Sequence, residues 1–445
     1  MKLNATLDVD VLALQQDDQV TCLLTFDAPV PADLANRPGE SLVVVVDRSG
    51  SMSGAPLEAV RSSLHALVDR MKPQDAFGVV AFDNHAAVAV PCRPMRDHHL
   101  PTVHSLIEGI DAGGTTDLSG GYLLGLTEAR RTRTATGATV LLLSDGHANA
   151  GVTDPLTVGQ LATQAHAERI TTGTVGIGAG YDETLLAELA RQGSGAHRFA
   201  FTPDDAAAVV AEEAGDLLSK SIVNAFVRIT ISDPALLERI GTLHDVARWI
   251  DTDANGEKVL VIPLGDLYAG EQRELLVHFD VPAIASLGLH QLATFTIEYV
   301  TMPDLQSQVI TWPMSVNVVP GDEAAGRVPN PTVTTARLLA ETTRAKKEAS
   351  EALSHGDGES AGRIMDAQAH KLRGAIRSID PALPEAPALR SRLSEEQKQA
   401  EKLARSARQR EAMTSRKSFI EDVSMESRGR NDQARRDRSR NKRDF

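Results

Sequence analysis

From residue 41 the apolar residues come in short unbroken runs separated by helix-length stretches, and this alternation restricts the fold more than any other feature of the chain. A run at 42–46 precedes a helix near 57–71. Runs at 77–82 and 86–90 precede helices near 98–108 and 118–132. A run at 140–143, a helix near 156–168, a run at 172–177, a helix near 182–191, a strand near 197–201 and a helix near 203–219 complete the series. A strand without polar alternation must be covered on both faces, and the intervening helices supply the cover. The pattern predicts a doubly wound α/β domain with a mainly parallel sheet over residues 39–220.

The flanks follow another pattern. Leu3, Ala5, Leu7, Val9 and Val11 alternate with polar neighbours, and a second strand follows at 20–26. Pro29, Pro31 and Pro38 mark a linker. Beyond Ser221, strands are expected near 225–231, 259–264, 274–281, 292–300 and 310–319, with turn signals at Asp253-Ala-Asn-Gly and Tyr268-Ala-Gly. These predict an antiparallel β-sandwich over 221–320. The strands of residues 1–38 cannot bury their own apolar face, so they are expected to complete that sandwich. The α/β domain is then an insertion. Asn330-Pro331 has the form of a helix start. It opens a helical region at 330–420, with helices near 331–353, 359–378 and 387–415. Residues 427–445 carry eight basic and three acidic residues and almost nothing apolar. They are expected to be a disordered basic tail.

A length of 445 residues implies several domains. The net charge of -14 is uneven: residues 331–445 hold 25 of the 46 Lys and Arg but only 18 of the 60 acids. The acidic body disfavours nucleic acid and anionic membrane, leaving only the basic tail (Arg428, Arg430, Arg435, Arg436, Arg438, Arg440, Lys442, Arg443) to touch either. At 4 % of the chain, aromatics are too scarce for stacking platforms. Cys22 and Cys92 match no metal or redox spacing, which favours a reducing compartment. The N-terminal stretch lacks a signal-peptide core, and no run approaches a membrane span of about 20 apolar residues. A cytoplasmic location is the expectation.

Three loops concentrate oxygen donors. The run at 42–46 ends in Asp47-Arg-Ser-Gly-Ser-Met-Ser-Gly, which sets an acid and two hydroxyls at i, i+2 and i+4. The run at 140–143 ends in Ser144-Asp145-Gly146. Between them, Gly113-Gly-Thr-Thr-Asp-Leu-Ser-Gly-Gly opens a helix. Doubly wound sheets bind ligands at the carboxyl ends of their strands. Oxygen-only donors suit a hard cation such as Mg²⁺.

These segments resemble the metal-ion-dependent adhesion site of von Willebrand factor type A domains, with Asp-x-Ser-x-Ser, a later Thr and a further Asp in the right order. The resemblance covers roughly residues 41–220. It implies a metal held by Asp47, Ser49, Ser51, Thr116 and Asp145, with Thr116 rather than Thr115 as the threonine. The cofactor implied is Mg²⁺, with Mn²⁺ or Ca²⁺ as alternatives. The function implied is a non-enzymatic one, in which the metal binds an Asp or Glu of a partner protein. The arrangement of domains is also similar to inter-alpha-trypsin inhibitor heavy chains and calcium-activated chloride channel-like proteins. Two alternatives stay open: a regulatory subunit of a separate AAA+ ATPase, as in magnesium chelatase, and a metal-dependent hydrolase.

Other signals are weaker. Asp117 is expected to serve a helix start. His98, His99, His104 and His147 are expected to be solvated, His147 being the one whose position could also reach the rim of the site. Gly173-Thr-Val-Gly-Ile-Gly-Ala-Gly lacks the lysine of a phosphate loop and is expected to be a core strand and its exit.

Overall fold

The computed structural model describes residues 1–30, 39–134, 137–178, 181–200, 205–206, 208–210, 220–231, 239–242, 248–250, 259–302, 304–408 and 420. The linker at 31–38, most of the helix expected at 203–219, the turn at 253–256, residues 409–415 of the last helix and the tail at 427–445 lie outside them. The chain divides into two compact units, Pro31–Lys220 and Met1–Val30 with Ser221–Phe445.

Three strands, β1 (Lys2–Leu7), β2 (Val11–Ala13) and β3 (Asp18–Asp27), precede the first unit. That unit then runs β4 (Ser41–Asp47), α1 (Ala55–Val68), β5 (Ala76–Phe82), β6 (Ala86–Pro94), α2 (Leu100–Glu108), α3 (Leu118–Thr132) and β7 (Ala138–Ser144). It continues through α4 (Pro155–Ala167), β8 (Ile170–Ile177), α5 (Glu183–Gln192) and β9 (Ser194–Ala200). One sheet results, in the order β6-β5-β4-β7-β8-β9. All its neighbours are parallel except the β5–β6 edge pair. Every residue of β4, β5, β7 and β8 is buried, as the unbroken apolar runs require. The strand order reverses at β4, which has β5 on one side and β7 on the other. A crevice opens outside the carboxyl ends at such a reversal. Residues 173–177 of the glycine-rich segment lie in β8, and Gly178 just beyond it takes a positive φ; residues 179–180 lie outside the described residues.

Helix α3 lies close against this reversal. A Cβ on Gly125 would fall 2.4 Å from Val45 Cγ2, and one on Gly121 would fall 2.5 Å from the Phe82 ring. Glycine lets the helix approach the sheet and sets the height of the loop that precedes it.

The second unit resumes with β10 (Lys220–Ile231), β11 (Arg239–Thr242), β12 (Arg248–Ile250), β13 (Val259–Tyr268), β14 (Gln272–Val281), β15 (Gly288–Thr301) and β16 (Gln306–Val319). A four-stranded sheet β1-β3-β14-β11 and a six-stranded sheet β12-β13-β10-β15-β16-β2 form. Leu24, Phe26, Val277 and Phe279 of the first share one core with Val227, Ile229, Phe295 and Ile297 of the second. The N-terminal segment was expected to run as one strand from Leu3 to Val11. It instead breaks at Asp8, whose Oδ1 accepts the N–H groups of Val9 and Thr21. This break sends β1 and β2 to different sheets. The β2 strand joins β16 in parallel, so the six-stranded sheet is mixed where an antiparallel one was expected.

After β16 come α6 (Pro331–Ser354), α7 (Gly358–Ser378) and α8 (Ala386–Arg408). The Asn330 side chain caps α6, with Pro331 in its first turn. The three helices bury Leu353, Met365, Leu372, Leu389, Leu393 and Leu403 together. They also dock on the four-stranded sheet. Val333 and Ala336 pack on Leu23 and Leu276, and Arg392 makes a bidentate pair with Glu274 at 2.9 and 3.0 Å. Among the described residues no helix is long and apolar enough to cross a membrane.

Two glycine substitutions should therefore act with opposite signs. Helix propensity alone favours Ala over Gly by about 1 kcal/mol. At Gly374 of α7 a Cβ meets nothing within 4 Å, so Gly374→Ala should stabilise the protein. At Gly125 the stiff β-branched Val45 must give way, at an overpacking cost of about 1–3 kcal/mol. Gly125→Ala should lower the urea midpoint; an equal gain at both positions would refute the close-approach argument.

Candidate metal centre

Strands β4 and β7 run side by side with Val46 opposite Leu143. One residue further on, Asp47 and Ser144 end their strands together. Ser144 Oγ donates to Asp47 Oδ2 at 2.6 Å, and the Ser49 N–H donates to Asp47 Oδ1 at 2.8 Å. Asp47 and Ser49 are buried, whereas Ser51 is exposed and Asp145 half-buried. Ser49 Oγ lies 3.2 Å from Ser51 Oγ, which donates to Asp145 Oδ1 at 2.7 Å.

The third loop is held to the other two by its backbone. Gly113 N–H donates to Arg48 O at 2.7 Å, and Gly50 N–H donates to Gly114 O at 3.3 Å. The carbonyl of Thr116 accepts the N–H groups of Asn149 and Ala150, while its own N–H donates to Asn149 Oδ1 at 2.8 Å. Asp117 N–H donates to Asp83 O. These bonds leave Thr116 buried and Thr115 exposed.

The convergence is visible at Gly146. A Cβ there would lie 3.4 Å from Ser51 Oγ, 3.5 Å from Thr116 Oγ1 and 3.9 Å from Asp47 Oδ2. Oxygens from two loops thus meet at one small space beside Gly146 of the third, with Asp145 tied in through Ser51. Two carboxylates and three hydroxyls are a donor set for a hard cation. Among the described residues no group of three or more His, Cys, Asp and Glu side chains forms a metal cluster. The present set has only two such residues, the remaining donors being hydroxyls.

The electrostatics fit a site short of positive charge. Burial pushes the Asp47 carboxyl above the ordinary range, against the hydrogen bonds from Ser144 and Ser49, and nearby Asp83 adds to the rise. Burial and the neighbouring Asp47 carry Asp145 up to about 6, although Ser51 donates to it.

Several residues around the site carry no clear signal in the sequence. Ser144 ends a buried strand and bonds Asp47. Asn149 holds the Thr116 loop from 33 residues away. Arg48 pairs with buried Asp83 at 2.9 Å, each one residue beyond the paired ends of β4 and β5. Asp117 caps α3, as expected, through bonds from Gly120 N–H and Ser119 Oγ. His147 is exposed and faces Asp182 at 3.9 Å. Two histidines expected to be solvated are partnered instead: His98 bonds the Phe77 carbonyl, and His104 meets His65 of α1.

Residues 41–214 match the family model of the von Willebrand factor type A domain. The chain is 26 % identical over 280 residues to an uncharacterised protein of Synechocystis, covering 62 % of this chain and 66 % of that one. It is 26 % identical over 184 residues to the human inter-alpha-trypsin inhibitor heavy chain H4, covering 40 % of this chain and 20 % of that one. With the Arabidopsis thaliana E3 ubiquitin-protein ligase WAV3 the match is 26 % over 367 residues, 79 % of this chain and 45 % of that one. The matches thus span from a fifth to about two thirds of these relatives' own lengths. Among solved structures, a von Willebrand factor type A protein from Catenulispora acidiphila superposes with a TM-score of 0.70 at 16 % identity, covering 96 % of this chain and 97 % of that one. The ArnB paralog VWA2 from Sulfolobus acidocaldarius gives 0.62 at 16 %, covering 96 % and 98 %. The fold is therefore shared over nearly the whole length.

The raised Asp145 carboxyl has a consequence for stability without metal. With a folded value of about 6 against an ordinary 3.8, Asp145 holds its proton more tightly when folded. Its contribution is favourable at acid pH and is lost as the pH rises through about 6. In chelator, Asp145→Asn should melt higher than wild type above that pH, and the gap should close towards pH 3.8. A variant no more stable than wild type near neutrality would contradict the assignment.

Proposed function

Starting from a von Willebrand factor type A-fold domain at residues 41–214, we propose that this chain is a non-catalytic binding module that captures a partner protein's Asp or Glu through a divalent cation. The observation that carries the proposal is the convergence of Ser51, Thr116 and Asp47 oxygens on the space beside Gly146. Asp47 and Asp145 supply the negative charge there, and Ser49, Ser51 and Thr116 supply neutral oxygens. Mg²⁺ suits such a set, with Mn²⁺ or Ca²⁺ as substitutes. When bound, the cation contributes a positive centre that an incoming carboxylate can meet directly.

The residues of the chain divide the remaining work. Buried Asp47 and Ser49 form a floor, in which Asp47 is held by the Ser144 hydroxyl and the Ser49 N–H. Exposed Ser51 and half-buried Asp145 form a rim open to an incoming side chain. Two carboxylates match a double positive charge without exceeding it, so an acidic side chain is still attracted. A third acid on the protein would oppose that attraction.

Calorimetric titration with Mn²⁺, followed by partner capture with and without chelator, tests this. Asp47→Ala and Asp145→Ala should abolish both metal uptake and metal-dependent capture, with the far-UV spectrum unchanged. Ser49→Ala should weaken uptake by roughly tenfold, the scale of one neutral polar contact. Capture that survives both Asp47→Ala and chelation would overturn the proposal.

A further inference from the structure

A second cluster of titratable side chains stands on two helices of the α/β unit, apart from the five-residue site. His65 lies in the last turn of α1, and Asp69 caps its end. His104 and Glu108 lie one turn apart on α2. His65 Nδ1 is 2.6 Å from His104 Nδ1. On the outer sides, His65 Nε2 is 2.7 Å from Glu108 Oε1 and His104 Nε2 is 3.2 Å from Asp69 Oδ1.

Hydrogen counting makes this arrangement informative. An ionised carboxylate has no hydrogen to give, so His65 Nε2 donates to Glu108, and the Asp69 carboxylate 3.2 Å from His104 Nε2 favours a hydrogen on that nitrogen as well. A neutral imidazole has only one ring N–H. With both rings neutral and both hydrogens on Nε2, the Nδ1 lone pairs are left facing each other at 2.6 Å. Lone pairs at that distance repel, and a cation held by both nitrogens removes the conflict.

We propose that His65 and His104 form a two-nitrogen site for a late first-row divalent ion of the Ni²⁺, Cu²⁺ and Zn²⁺ class. Imidazole suits these ions, whereas Mg²⁺ and Ca²⁺ prefer oxygen. Asp69 and Glu108 are the outer partners that fix each ring's tautomer and orientation, a role carboxylates commonly play behind metal-bound histidines. Two nitrogens each about 2.0–2.1 Å from one ion stand roughly 2.9–3.3 Å apart at right-angled to tetrahedral geometry. The nitrogens therefore need to part by a few tenths of an ångström, and the two rings, with centroids 4.8 Å apart, to tilt until both lone pairs meet one ion. Their side chains are 24 % and 31 % exposed, so water can complete the shell. With two nitrogen ligands and water, the site is compatible with there being no metal cluster of three or more such side chains among the described residues.

The test is a titration of the full chain with Ni²⁺ in saturating Mg²⁺, which leaves the oxygen site occupied. Wild type should bind one equivalent more than His65→Ala/His104→Ala. His104→Gln keeps a donor for Asp69 but loses the facing nitrogen, and it should also lose the extra equivalent. Asp69→Asn with Glu108→Gln should weaken binding by roughly tenfold to a hundredfold. Asp47→Ala should bind Ni²⁺ as wild type does, which separates this site from the proposed oxygen site. If wild type binds no more Ni²⁺ than the folded double variant, the shared cation is a proton only and the metal site is refuted.

Discussion

The parallel pairing of β4 with β7 is the constraint on which the rest of the structure depends. It sets Val46 opposite Leu143 in a fully buried sheet, and so ends two apolar strands at the same height. The chain leaving each strand must turn polar at the same place. Burying a carboxylate such as Asp47 costs several kcal/mol unless partners offset it. Ser144 and the Ser49 N–H supply part of that offset. The upward direction of the Asp47 carboxyl says that burial still outweighs them. The crevice is thus left wanting positive charge because of how the sheet is ordered.

Packing of α3 carries that constraint to the third loop. Gly121 and Gly125 let the helix settle on Phe82 and Val45, so the start of α3 comes down beside the ends of β4 and β5. The loop before it then reaches Arg48 O, Asp83 O and Asn149 with its own backbone. The position of Thr116 is set by these bonds and by the glycines behind them. A threonine in a loop that floated free would bring no fixed oxygen to the site.

Much of this could be read in the sequence, for identifiable reasons. Unbroken apolar strands of 42–46 and 140–143 mark a buried parallel sheet, and sequence spacing places Asp47, Ser49 and Ser51 in one turn. The Asn330-Pro331 start of α6 is a local signal, and it is found where expected. The features that escaped were set by register or by distance along the chain. Asn149 reaches Thr116 only because two loops are adjacent in space. The split of β1 from β2 depends on Asp8 meeting Thr21, and period-two alternation runs through it unmarked. His65 and His104 are 39 residues apart on separate helices, so neither helix alone signals the pair. Docking of the C-terminal helices uses Arg392 meeting Glu274, 118 residues away, and Val333 and Ala336 meeting Leu23 and Leu276.

Hydroxyls in the rim have a physical logic of their own. Ser51 donates to Asp145, which lets two nearby carboxylates coexist when no cation is present. A hydroxyl also has acceptor lone pairs and turns freely about its C–O bond. On the proposed function, the same oxygen then faces a cation with its lone pairs while its hydrogen turns to another acceptor. A third carboxylate in place of Ser51 would sharpen the repulsion in the empty site and leave a filled site with surplus negative charge. Alanine would remove the donor and leave Asp145 to bear the Asp47 field alone. On the same proposal, serine is the side chain that serves both states, because its hydroxyl can donate in one and accept in the other.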